Sequence, residues 1–357
     1  MPKPETTGIP VYDGHNDTVL NLRATGRSFF DRGAQGHIDL PRAREGGLAG
    51  GFFAVFVPDS ATLPATGAAR DPGGMSERVA PGTLPPPVPL ADAQPYAMAE
   101  LARLLRLEVE SGGAVKVVRT AAELHRCLAE GIFAVQLHLE GAEAIDPGLD
   151  TLEVFHAAGL RSLGIVWSRP NAFAHGVPFG SPSPDTGPGL TEAGKDLVRA
   201  CNRLRIMLDL SHLNEQGFWD VAALSDAPLV ATHSNAHALC ASSRNLTDRQ
   251  LEAIRESGGM VGVNFHVGFL RPDGERDPDT SLEIVADHVD YLVERLGPDK
   301  VGFGSDFDGA TMPAPLGDAA GLPRLLATLQ ARGYDDATLA LLAHENWLRV
   351  LERTWGE

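Results

Sequence analysis

The chain has 357 residues, 43% of them hydrophobic and 22% charged, with a formal net charge of −17. That balance describes a water-facing protein able to bury a sizeable core. The acidity, with no basic stripe to offset it, argues against nucleic-acid binding, and no apolar run is long enough to span a membrane.

Eight short runs rich in Val, Ile, Leu or Phe recur along the chain: Pro10–Gly14, Gly51–Val57, Phe133–Leu139, Ser162–Trp167, Ile206–Leu210, Pro228–Thr232, Met260–Phe265 and Val301–Ser305. Continuous apolar runs of this length suit strands buried on both faces. Helical patterns separate several of them. Thr191–Arg205 opens on Thr-Glu, Thr247–Ser257 opens on Thr-Asp and stops before Gly258-Gly259, and Leu282–Leu296 and Asp336–Thr354 are periodic. Strands alternating with helices predict a parallel sheet, and eight such units predict a (β/α)8 TIM barrel, read here as one α/β domain over residues 1–357. Asp59–Gln94, dense in Pro and Gly, reads as a long loop insertion after the second strand. Asp273–Thr280 and Ala310–Asp318 read as shorter insertions on the same face.

The three cysteines, Cys127, Cys201 and Cys240, match no zinc-binding spacing, and their odd number argues against a disulfide framework. A metal would therefore rest on His and carboxylate ligands. Such residues end the predicted strands: His15 and Asp17 after the first, Glu140 after the third, His212 after the fifth, His233 after the sixth and Asp306 after the eighth. The two-residue period of a strand points His15 and Asp17 the same way. In a closed barrel these ends ring one opening, where barrel active sites lie. A lone His at a strand end is more often a structural residue. The joint set carries the reading, because burying these charges without compensation costs several kcal/mol each. Three imidazoles and two carboxylates suit zinc or a similar divalent ion. Five ligands are too many for one tetrahedral ion, whereas two ions sharing Glu140 use them all. His138 shares a face with Glu140, either behind the ligands or as an interior residue. His175, His237 and His266 fall near the same face, and His37, His125, His156, His288 and His344 read as bystanders.

The runs Asp13-Gly14-His15-Asn16-Asp17, Leu139-Glu140-Gly141, Asp209-Leu210-Ser211-His212, Thr232-His233-Ser234, Ser242-Ser243-Arg244-Asn245 and Gly304-Ser305-Asp306-Phe307-Asp308-Gly309 resemble, in order and spacing, the membrane (renal) dipeptidase family of amidohydrolase-like barrels. The resemblance covers residues 9 to 350. It implies a binuclear zinc site in which His15 and Asp17 hold one ion, His212 and His233 the other, and Glu140 bridges. It further implies that Arg244 binds the terminal carboxylate of a dipeptide, that Asp306 is the acid/base residue, that a D-residue is tolerated at the C-terminal position, and that the protein is a homodimer. Where the family carries a substrate-contacting His at the end of the fourth strand, this chain has Trp167, whose indole only donates.

The expected activity is hydrolysis of a dipeptide by a metal-bridging hydroxide, with Glu140 and Asp306 catalytic and Arg244, Trp167 and Asp306 facing substrate. Zinc is the first expectation for the metal, with other divalent ions accepted by the same ligands. A deacylase of N-acyl amino acids or a lactonase is the nearest rival. The lysine-bridged members are disfavoured because none of Lys3, Lys116, Lys195 and Lys300 ends the fourth strand. A non-catalytic barrel that binds small peptides is the rival of another class. Met1 to Pro10 carries no apolar signal core, so a cytoplasmic protein is expected.

Overall fold

In the computed structural model, which describes residues 8–59, 84–178 and 187–356, each of the eight apolar runs overlaps a buried strand. In chain order the strands are β1 (Val11–Asn16), β2 (Leu48–Phe56), β3 (Val115–Val118), β4 (Phe133–Glu140), β5 (Ser162–Gly164), β6 (Met207–Asp209), β7 (Val230–Ala231), β8 (Met260–Val263) and β9 (Val301–Phe303). Eight of them follow one parallel path, β1-β2-β4-β5-β6-β7-β8-β9, while β3 pairs with β4 off that path. The longest ladder sets Gly50–Phe56 of β2 against Ala134–Glu140 of β4 and so brings Phe56 level with Glu140.

The path closes between β1 and β9 just beyond the paired part of β9. The Asp306 N–H donates to His15 O at 3.0 Å, and the Asp17 N–H donates to Phe307 O at 2.8 Å. The Asp13 carboxylate completes the seam, accepting the Ser305 N–H at 2.7 Å and the Ser305 hydroxyl at 2.8 Å. A nearly closed eight-stranded parallel barrel wrapped by helices results, as the alternation of patterns predicts.

Helices α1 (Thr18–Thr25) and α2 (Leu40–Gly46) lie between β1 and β2, and α3 (Leu90–Glu110) precedes β3. Helices α4 (Ala121–Glu130), α5 (Asp150–Ala158), α6 (Glu192–Leu204), α7 (Glu215–Leu224) and α8 (Asp248–Ser257) each lead into the next strand. Helices α9 (Val267–Leu270) and α10 (Leu282–Leu296) precede β9, and α11 (Leu322–Ala331), α12 (Asp336–Ala340) and α13 (Asn346–Trp355) follow it. Thr191 and Thr247 are N-caps. Each side-chain oxygen accepts a backbone N–H from the first turn, and Gln250 completes a capping box with Thr247. Among the described residues no helix is long and apolar enough to cross a membrane.

The structure corrects three of these expectations. Residues 60–83 of the proposed loop lie outside the described residues, but its last five residues are not loop: α3 starts at Leu90. Pro95 inside α3 and the proline run before it hide the helical period. A ninth strand, β3, escapes notice because Val115-Lys116-Val117-Val118 is short and joins only the margin of the sheet. The predicted C-terminal helix is two α-helices joined by a π-helical turn at Leu341–Glu345.

That last segment plugs the barrel interior below the strand ends. Trp347 of α13 is fully buried, and its indole N–H donates to Phe303 O at 3.1 Å. Gly14, Gly262 and Gly302 make room for it: a Cβ on any of them would lie 2.3–2.9 Å from the indole. The plug is continued by Tyr12, Phe52, Met207, Met260 and Leu351.

Candidate active site

At the strand ends the predicted ligands converge. His15, the fifth residue of β1, places Nε2 3.7 Å from Asp17 Oδ2 and 3.6 Å from Glu140 Oε2. Glu140 is the last residue of β4, and its other oxygen, Oε1, lies 3.1 Å from His212 Nε2 and 3.7 Å from His233 Nε2. The two histidine Nε2 atoms are 3.1 Å apart. Glu140 therefore faces His15 with one oxygen and His212 and His233 with the other. All five residues come together as predicted. Four of the predicted site residues nevertheless lie past the end of their strand: Asp17 beyond β1, His212 beyond β6, His233 beyond β7 and Asp306 beyond β9.

The electrostatics match a seat for cations. Burial disfavours a charged His15, but Glu140, Asp17 and Asp306 outweigh it and draw its pKa up to about 10. Burial pushes Glu140 well above the usual carboxylate range; His15 opposes this, and Asp17 and Asp306 add to it. Burial, with His15 and Arg244 nearby, holds His212 and His233 well below the usual imidazole value, in the neutral form that ligates metals. Both ring nitrogens of His15 are buried without a hydrogen-bond partner. Sets such as His15, Glu140 and His233, and His15, Asp17 and Asp306, have ligand atoms within 4.8 Å of one another. Imidazoles and carboxylates packed this closely fit divalent metal ions.

The outer ring nitrogens are held from behind. His212 Nδ1 meets the Ser168 hydroxyl at 2.7 Å, and His233 Nδ1 meets the Thr232 hydroxyl at 2.8 Å. Asp209 lies 3.7 Å from His233 Nδ1 and accepts the Thr232 N–H at 2.8 Å and the Ser211 N–H at 3.0 Å. These contacts fix ring orientation and tautomer. His138 sits in the barrel interior below, with Nδ1 2.9 Å from the Ser162 hydroxyl and Nε2 3.7 Å from Asp209, and burial lowers its pKa to about 3.

Asp306 is half-buried and adopts a left-handed backbone with φ of 62°, as do His212 at 67° and Asp308 at 68°. Such angles cost non-glycine residues on the order of 1–3 kcal/mol each and persist only where the surroundings enforce them. Asp308 shows the enforcement: its carboxylate accepts from the Thr18 hydroxyl at 3.0 Å, Arg27 Nη2 at 2.9 Å and the His37 N–H at 2.5 Å. His37, expected as a bystander, also accepts the Asp308 N–H at 2.8 Å and so braces this loop.

Arg244 is buried beside the ligands. Its guanidinium donates to His233 O at 3.0 Å and to the Ser234 hydroxyl at 3.4 Å, while Nε has no partner. Burial lowers its pKa to about 10 although Asp306, Asp209 and Glu140 oppose the shift, so it stays cationic at neutral pH. It stacks over Phe269 with Cζ 5.3 Å from the ring centroid. Trp167 lies 6.0 Å from His212 and 5.1 Å from Phe56, ring to ring. Phe56, Trp167 and Phe269 form one apolar cluster, which leads from His212 towards Arg244.

Sequence reasoning missed Asp13, Ser168, Asp209, Asn264 and the His37–Asp308 pair. Asp13, Asp209 and Asp308 lie inside the quoted motifs, which is a usable signal. Ser168 and Asn264 carry none.

A family description, membrane dipeptidase (peptidase family M19), matches residues 6–355. A protein of Klebsiella pneumoniae encoded in the pqqA 5′ region is 52% identical over 72% of this chain and 96% of its own length. The solved structure of dipeptidase AC, a metallo peptidase of family M19, is 54% identical with a TM-score of 0.90, over 99% of this chain and all of that one. A metallo peptidase from Rhodobacter sphaeroides, liganded with a phosphinate mimic of the dipeptide L-Ala-D-Ala, is 55% identical with a TM-score of 0.90, over 98% of this chain and 100% of that one.

Proposed function

The chain belongs to the membrane dipeptidase family and is a metal-dependent dipeptidase, and from that premise we propose that two divalent ions, zinc first among them, sit between His15, Asp17, Glu140, His212 and His233. The position of Glu140 carries this reading. One oxygen faces His15 and the other faces His212 and His233, which is the disposition a shared ligand needs. When bound, the ions supply the Lewis acidity that activates water and polarises the scissile carbonyl.

The chain's own residues do the rest. Asp306 takes the proton of the attacking water and returns it to the departing amine. Arg244, cationic and with Nε unpartnered, binds the carboxylate of the C-terminal residue through charge-assisted hydrogen bonds. The cluster of Phe56, Trp167 and Phe269 excludes water between the two anchors and flanks the C-terminal residue. The L-Ala-D-Ala mimic bound by the Rhodobacter sphaeroides protein supports acceptance of a D-residue at that position here. We further read the chain as one barrel domain that assembles into a cytoplasmic homodimer. Three buried free thiols suit a reducing compartment, and the family resemblance supports the dimer. A monomer in sedimentation analysis would overturn the assembly.

The deciding experiment pairs metal analysis with hydrolysis of L-Ala-D-Ala. Zinc-loaded protein is expected to carry two ions and cleave the dipeptide. Asp306→Asn is expected to keep both ions and lose about 10²- to 10⁴-fold in kcat. An active enzyme with a single ion would refute the shared-ligand arrangement, and an Asp306→Asn variant of near-full activity would remove Asp306 from its role.

A further inference from the structure

Asn264 directly follows β8 and is fully buried, and the chemistry above does not use it. Its side-chain oxygen accepts the His266 N–H at 2.6 Å. Its side-chain nitrogen donates to Asp306 Oδ2 at 2.9 Å and to His233 O at 3.3 Å. Chemistry fixes this orientation. A backbone N–H only donates, so the atom facing His266 is the amide oxygen, and the NH2 group must face Asp306.

The amide is itself braced. The Asn264 N–H donates to Asn235 Oδ1 at 3.0 Å, and Asn235 Nδ2 donates back to Asn264 O at 2.9 Å. Asn235 O in turn accepts the Leu246 N–H at 2.8 Å, two residues past Arg244. The second oxygen of Asp306 lies elsewhere. A Cβ at Gly309 would sit 3.0 Å from Asp306 Oδ1 and 1.9 Å from Asp17 Oδ2, so Oδ1 is on the Asp17 side. An amide NH2 only donates, so it stabilises negative charge on the oxygen it binds and disfavours a proton there.

We infer that Asn264 is a positioning residue for the hydrolysis: it ties Asp306 down by Oδ2 and leaves Oδ1, beside Asp17, as the atom that moves the proton. Oδ1 takes a proton from the attacking water as the new C–O bond forms. It gives that proton to the amine nitrogen as the C–N bond breaks, and the carboxylate is restored. This inference rests on the acid/base role proposed for Asp306. The same amide also ties Asp306 to the His233 backbone, so a slack Asp306 would be misplaced relative to the metal ligands.

Two variants and one cycle test it. Asn264→Leu removes the hydrogen bonds at similar volume, and Asn264→Asp keeps the shape but sets an oxygen against Asp306. Each is expected to lower kcat for L-Ala-D-Ala by about 10- to 100-fold, with KM within about threefold and the wild-type metal content retained. In an Asp306→Asn background, adding Asn264→Leu should change the residual kcat by less than about twofold, because the two residues act as one unit. Should Asn264→Leu fail to fold, Asn264→Asp decides. The inference is overturned if both single variants keep wild-type kcat, if their loss follows loss of metal, or if the full factor is lost again in the Asp306→Asn background. An active Asp306→Asn enzyme would instead bring down the role of Asp306 and this inference with it. An inactive Asp306→Asn beside fully active Asn264→Leu and Asn264→Asp brings down this inference alone.

Discussion

The interior and the strand ends of this barrel are built on opposite principles. In the plugged interior, Trp347 fills a niche cut by Gly14, Gly262 and Gly302, and its indole N–H meets Phe303 O. At the strand ends, three carboxylates and three histidines crowd together, His212 and Asp306 hold left-handed backbones, and neither nitrogen of His15 has a hydrogen-bond partner. The first arrangement is what packing alone would select. The second is unfavourable as packing and pays off only when cations and substrate arrive, so the molecule must draw its stability from elsewhere. The division teaches that changes in the first region should register as stability and changes in the second as chemistry.

The sharpest way to break that division is Glu140→Gln. It preserves shape but removes the charge that faces His15 on one side and His212 and His233 on the other. Metal content is expected to fall below two ions per chain and kcat/KM to drop by roughly 10³-fold or more, about 4 kcal/mol. The melting temperature of the metal-stripped protein should change little, because less crowding of the carboxylates is offset by the partner that His15 loses. Calorimetry showing the stripped variant unfolded would mean that the ligand end also carries the fold.

Next in size is Trp347→Ala. Emptying the niche is expected to remove about 3–5 kcal/mol of stability. Dipeptide turnover per folded molecule should stay within about twofold. Denaturant titration and active-site-normalised kcat check the two halves separately, and an inactive but fully stable variant would contradict the division.

A smaller effect tests a buried histidine of α10. His288 Nδ1 accepts the Ala236 N–H at 3.2 Å while Nε2 meets Leu270 O at 2.9 Å, and burial lowers its pKa to about 4. The unfolded chain, with a His pKa near 6.5, binds this proton first. Stability is therefore lost as pH falls from about 6.5 towards 4, by up to about 3 kcal/mol. His288→Gln should flatten that part of the melting-temperature profile relative to the parent. Parallel profiles would show that His288 titrates normally in the folded protein.

Much of this was legible in the chain itself. The apolar runs fell on the eight barrel strands because strands buried on both faces must be apolar throughout, which is a local requirement. Thr191 and Thr247 marked their helix starts because capping is satisfied within four residues. The ligand residues stood out because His and carboxylates at successive strand ends have few structural uses. The long helix α3 did not, since Pro95 breaks the pattern that would have revealed it.

The alternation that builds a barrel, and the His and carboxylate residues that gather at its strand ends, were thus legible in sequence alone. The bracing of those ligands was decided by the tertiary structure. Asn264 reaches Asp306 across 42 positions, and Asp13 reaches Ser305 across 292. Ser168 lies 44 positions from His212, and the glycine niche serves an indole from the last helix. The physical reason is one of range. Propensity, capping and periodicity act over a few residues and leave their mark on neighbouring letters. A hydrogen bond across the barrel exists only once the sheet has closed and brought the two strand ends side by side.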